Sequence, residues 1–265
     1  MTENEKVELR EHLERKVKLL NSTTWEGRVP KTALQDWISQ FDEAVDIDAD
    51  EQMQVLFLLS HFLYFGQAEI RSLLRSLYRD MIRSPVLREI RRAQNDSLDV
   101  SKLHAEYQNQ EKNFRFLALG NPSESSMHLL YYFRQENLLP KDLFINGYEI
   151  FQPTISGRKV EWALGSPNVE RYIFLDDMCG SGNQAIQYVQ PLITPLRTLA
   201  QNIRVDYYVL FGTSSGLEAI RNLNEFDTVR RSSSSTRPSG LWRRPHGYFV
   251  ETIRLRIEEA FTRHA

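Results

Sequence analysis

Two uninterrupted apolar runs, YIFL at 172–175 and YYVLF at 207–211, each lead through a short turn into a segment of helical period, QAIQYVQPLI and SGLEAIRNLNEF. A strand without polar alternation must be covered on both faces. That is the environment of a parallel sheet between helical layers. The same texture starts at RFLALG (115–120), followed by MHLLYYFRQENLL, whose Leu129, Leu130 and Phe133 fall on one side. DLFING and YEIFQPT read as further strands, and SGRKVEWALGSPN as a long connection. The expected fold class is α/β, with a parallel sheet over 111–229, preceded by an all-helical domain over 1–110. A Ser/Arg-rich linker over 230–247 and a closing helix over 248–265 complete the expected order.

The helical half is amphipathic. Leu34, Trp37, Ile38 and Phe41 form one apolar face, Asp50 or a neighbour caps the next helix, and Gly66 ends it. The segment from Gln67 is expected to stop before Pro85. Helices broken at Gly66 allow a helix-turn-helix. In the second, Arg71, Arg75, Arg79 and Arg83 recur every four residues and share one face. Such a face either meets nucleic-acid phosphate or is a solvated helix face beside acidic neighbours. A net charge of −2 argues against a global field for nucleic acid or acidic lipid. A single cysteine excludes an internal disulfide and a cysteine-built zinc site. The charged start, MTENEKVELREHLERKVKLL, lacks the apolar core of a secretion signal. The run VLFLLSHFLYFG, about a dozen residues, is too short to span a bilayer. A cytoplasmic protein with no membrane partner is expected.

The chemistry concentrates in IFLDDMCGSGNQA, 173–185. Asp176 and Asp177 stand at the carboxyl end of the apolar strand, where open parallel sheets bind ligands. A strand end that curls into a loop can aim both acids into one crevice. There they accept hydrogen bonds from vicinal hydroxyls, offset charge at a nearby carbon, or help hold magnesium. Gly180, Ser181, Gly182, Asn183 and Gln184 form a cup of amides and hydroxyls at a helix start, suited to an anion. Hydroxyls on one side and a phosphate on the other describe a ribose 5-phosphate. The plainer alternative is a tight strand-to-helix turn capped by Asp177.

This stretch resembles the phosphoribosyl diphosphate motif of type I phosphoribosyltransferases, an apolar strand, two acids and a loop of Thr-Gly and small residues. The resemblance implies that Asp176 and Asp177 bind ribose, act in catalysis and meet Mg2+ through the ligand. It implies that residues 180–184 cradle the 5-phosphate. Ser181 stands where the family has threonine, and Asn183 and Gln184 where it has glycine and threonine. The family's diphosphate loop matches Asn121, Ser123, Ser125 and Ser126, although Glu124 would repel a diphosphate. A capped helix start is the other reading of that loop. The family's mobile loop matches the connection carrying Arg158 and Lys159. The resemblance spans 114–226, and nothing matches the hood that selects a base; Trp162 or Trp242 would be the stacking candidates.

The whole arrangement also resembles bacterial proteins that join a winged-helix-like segment to a phosphoribosyltransferase-like domain. These are thought to be antiphage effectors, some of them retron-associated. Two expectations follow. One is an enzyme using phosphoribosyl diphosphate, by transfer or by cleavage of a nucleotide's glycosidic bond. The other is a non-catalytic nucleotide or ribose-phosphate sensor that signals to DNA or to a defence-system protein.

Overall fold

Strands β1 (Phe114–Ala118), β4 (Arg171–Cys179), β5 (Arg204–Gly212) and β6 (Thr228–Arg231) form one sheet in the order β1-β4-β5-β6. Every pair is parallel. In this computed structural model, residues 2–41, 51–62, 64–120, 125–156 and 159–232 are described. Asp50, Arg158, Trp242, the linker beyond 232 and the closing helix lie outside them, as do Asn121 and Ser123.

The α/β architecture follows from apolar strands that need two covers. On one face pack α8 (Asn183–Leu199) and α9 (Ser214–Asn222), through Val189, Ile193, Leu217 and Ile220 against Tyr172, Phe174, Tyr207 and Val209. On the other pack α7 (Ser125–Glu136) and a helical layer made of α4 (Gln67–Ser76), a π-helical stretch (Leu77–Arg83), α5 (Ser84–Ala93) and α6 (Val100–Glu111). Leu74, Leu77, Ile82, Ile90 and Tyr107 of that layer join Phe116, Ile173, Leu175, Tyr208 and Leu210 in one core.

The contacts therefore divide the chain between Glu69 and Ile70, not near 110. The physical reason is the second face of the sheet, which the helices of 70–111 cover. The unit before Ile70 contains α1 (Glu3–Thr23), α2 (Lys31–Ile38) and α3 (Glu51–Ser60), packed through Leu13, Ile38, Met53 and Leu56. Among the described residues no strand precedes β1, and no helix is long and apolar enough to cross a membrane.

Three local expectations are corrected. Helical structure does not stop before Pro85. The Ser84 amide donates five residues back to Arg79, and Pro85 sits inside the first turn of α5. Pro85 has no amide for the Met81 carbonyl four residues back, and the Tyr208 hydroxyl donates to that carbonyl at 3.1 Å. Lys141–Leu143 form a 3-10 turn rather than a strand, although Phe144 after it makes a parallel bridge to Phe116 and the Ile145 amide donates to the Phe116 carbonyl at 3.1 Å. The long connection is mostly ordered as an antiparallel hairpin of β2 (Phe151–Ser156) and β3 (Lys159–Leu164), with Pro153 opposite Trp162.

Candidate functional site

From β1 the chain crosses with α7 on one face and returns to the outer edge at Phe144. From β4 onward it moves the other way, with α8 and α9 on the opposite face. Direction reverses between β1 and β4, so a topological switch point lies there. The crevice outside the carboxyl ends of those strands is where such sheets bind ligands. Leu119 and Gly120 leave β1 at that point, and Asp176 and Asp177 lie on β4 beside it.

The strand does not end at the acids; β4 runs on to Cys179, paired with Gly212. Its pleat slips at this level, however. Leu175 and Cys179, of equal parity, pack in different cores. Asp176 is turned inward and is only 6% exposed. One of its oxygens accepts the Tyr207 hydroxyl at 2.7 Å, and the other accepts the Asp177 amide at 3.0 Å. Burial pushes its carboxyl up to about 7; the Tyr207 hydroxyl opposes that rise and the neighbouring Asp177 adds to it. Asp177 is half-buried, and its carboxylate accepts the Met178 amide at 2.8 Å. The two acids are thus unequal: one is a buried, Tyr207-bound group, the other faces water. Burial also pushes the Cys179 thiol up, which holds it protonated.

The glycine loop has the form an anion site needs. Gly182 takes the left-handed conformation, φ +83°, as N-cap of α8, and gives that helix no side-chain cap. The Ser181 hydroxyl accepts the Asn183 amide at 3.3 Å. Gly180, Ser181, Asn183 and Gln184 are exposed. Beneath this loop lies the next strand-to-helix turn, GTSSG (212–216), which repeats the same layout one strand over. The Thr213 amide donates to the Cys179 carbonyl at 3.0 Å, and the Thr213 hydroxyl donates to the Gly180 carbonyl. A methyl group on Gly216 would overlap the Gly180 carbonyl, and one on Gly182 would sit 2.8 Å from the Gly216 carbonyl.

The other sequence candidates separate. Ser126 is buried and its hydroxyl donates to the Leu119 carbonyl, so it closes the β1–α7 turn instead of facing a diphosphate. Lys159 is exposed at the start of β3. Arg71 and Arg75 both pair with Glu136 of α7, Arg71 at 2.6 Å, and Arg71 holds the Glu136 carboxyl below its ordinary range. Arg79 pairs with Asp80 at 2.7 Å. These three arginines thus pair with acids of the protein, and Arg71 and Arg75 fasten α7. Sequence reasoning missed Tyr207, Thr213 and Gly216. The signal for the last two was GTSSG, which repeats the strand, small-residue turn and helix order of the first loop.

A parallel sheet whose strand order changes direction between β1 and β4, an acid pair beside that point and a glycine loop opening a helix make up an α/β domain of phosphoribosyltransferase-like type. The family model described as PRTase-CE matches residues 34–244, and the chain belongs to that family. No curated protein matches the chain. Among solved structures it is similar to an orotate phosphoribosyltransferase from Aeropyrum pernix, with 11% identity over 63% of this chain and 76% of that one and a TM-score of 0.33. It is also similar to a Helicobacter pylori xanthine-guanine-hypoxanthine phosphoribosyltransferase, with 10% identity over 46% of this chain and 71% of that one and a TM-score of 0.27.

Proposed function

We propose that the protein binds a ribose 5-phosphate ligand, phosphoribosyl diphosphate in the first instance, at the β4–α8 corner, and acts on it as a phosphoribosyltransferase. The observation that carries this reading is the juxtaposition at one switch point of a half-buried acid, Asp177, and a glycine loop whose Gly182, at φ +83°, opens α8 without a side chain of its own. The amides of the 180–182 loop and the positive end of α8 hold the 5-phosphate. Asp177 accepts hydrogen bonds from the sugar hydroxyls. Buried Asp176 lies just behind it. As the bond from C1 to the diphosphate breaks, positive charge grows on the ribose ring and a carboxylate alongside offsets it. The acceptor then bonds to C1, and its proton passes to the departing diphosphate or to solvent.

Magnesium fits this donor set as a partner of the ligand. Among the described residues no cluster of three or more His, Cys, Asp or Glu could hold a metal by itself, and Asp177 offers one accessible carboxylate. The ion would be held mainly by diphosphate oxygens and would neutralise the leaving group's charge. The resemblance of the whole arrangement to bacterial antiphage effectors supports a role in antiphage defence, which we include in the proposal.

Calorimetric titration of the full chain with phosphoribosyl diphosphate and Mg2+ tests the pocket. Binding is expected in the wild type and absent in D177N. Absence of any binding by the wild type would remove the reading. Binding with no diphosphate released across a panel of nucleobases, amines and hydroxyl acceptors would replace transfer by sensing. Inward-turned Asp176, with both oxygens already engaged, is what favours that second reading.

A further inference from the structure

We infer that Thr213 and Gly216, on the turn after the neighbouring strand, are positioning residues that set the orientation of the anion loop. The inference rests on the ribose-phosphate reading and names what shapes that site. In a trans peptide the C=O and N–H point in opposite directions, and no described peptide is cis. Thr213 takes two successive carbonyls of the loop: its amide donates to Cys179 and its hydroxyl to Gly180. With both carbonyls drawn down onto Thr213, the Gly180 and Ser181 amides must point away from it. Two neighbouring N–H groups aimed to one side are the donor pair an anion needs.

Two further observations show that the contact is built and mutual. Gly216 has no room for a side chain, because the Gly180 carbonyl and the Cys179 sulfur fill the space a Cβ would take. Gly182 in turn lies against the Gly216 carbonyl. Gly180 itself borders open space, since nothing lies within 4 Å of where its Cβ would be. The same Thr213 hydroxyl accepts the Gly216 amide at 3.0 Å, which fixes the threonine as N-cap of α9. One side chain thereby ties the start of one helix to the loop before another.

The test compares wild type, T213V, T213S and G216A in the full chain by two readouts. The first is the affinity for ribose 5-phosphate and for phosphoribosyl diphosphate with Mg2+. The second is amide hydrogen exchange at 180–182, which needs no ligand. T213V should weaken both ligands about tenfold, as loss of one hydrogen bond would. It should also speed exchange across the loop, and T213S should restore both. G216A should weaken binding at least as much while far-UV circular dichroism stays unchanged. Unchanged exchange and affinity in T213V would overturn the inference even if wild type binds. If wild type binds neither ligand but T213V still loosens the loop, the ribose-phosphate reading fails and the tie between the turns stands as structure alone. A T213S variant that behaves like T213V would also overturn the inference, because the hydroxyl would then not be the active group.

Discussion

Asp176 carries the sharpest consequence of a single residue's surroundings. Folded, it holds its proton up to about pH 7 because it is buried. Unfolded, it ionises near the ordinary aspartate value of about 4. Between those values the folded protein keeps a proton that the unfolded chain has lost, so this residue's contribution to stability falls as pH rises through the window and levels off above it. The stability of D176N relative to wild type should therefore rise between pH 4 and pH 8, by up to about 4 kcal/mol, on top of a pH-independent loss of about 1 kcal/mol for the acceptor oxygen that the amide nitrogen replaces. Parallel pH slopes for the two proteins would show that the carboxyl ionises freely in the fold. Gly182 makes a second residue-scale case. At φ +83°, with the Gly216 carbonyl against it, G182A should lose about 1–2 kcal/mol of stability in urea titration and weaken ribose 5-phosphate binding. The value of this corner was legible in DDMCGSGN, because acids after an apolar strand and glycines before a helix are local signals. The difference between the two acids was not. It depends on which of them the sheet buries, and on Tyr207, 31 residues downstream, delivering a hydroxyl to the buried one.

At the scale of elements, local period was enough for β1, β4, β5, α7 and α9, whose apolar residues repeat as the packed faces require. It failed where a distant group supplied what the local sequence lacks. Pro85 reads as a stop because it has no amide, yet the helix passes it, with a π-helical stretch just before and the Tyr208 hydroxyl on the Met81 carbonyl. Y208F should thus cost about 1 kcal/mol, measured by urea unfolding, although it removes only one oxygen. A change indistinguishable from zero would mean that the carbonyl is satisfied without it. Of the β2–β3 hairpin, YEIFQPT announced the first strand, and the second was missed for another reason. Its strand KVEWAL is largely exposed, so burial writes no pattern into it. The arginine repeat at 71, 75 and 79 was visible at once, but its partners were not. Glu136 belongs to α7, some 60 residues away in sequence, and takes both Arg71 and Arg75.

For the molecule as a whole, the question is which helices the sheet needs. Ile173, Leu175, Tyr208 and Leu210 line the face opposite α8 and α9, and each is at most 2% exposed. α7 covers part of that face, while Leu74, Leu77, Ile82, Val86, Ile90 and Tyr107 of the α4–α6 layer cover the rest. Composition shifts near 110, from charged helices to apolar strands, and that shift invites a domain boundary there. Packing puts the break forty residues earlier, at Glu69, since a parallel sheet bare on one side exposes a contiguous apolar patch. Two fragments decide between these boundaries. A chain of residues 67–234 should fold cooperatively, with a single calorimetric transition and no binding of a hydrophobic dye. A chain of 111–234 should aggregate or bind the dye, because the side chains that close its second core are gone. If the shorter fragment instead melts cooperatively and stays monomeric in sedimentation, the α4–α6 layer is an appendage of the sheet, and the break belongs where the composition changes.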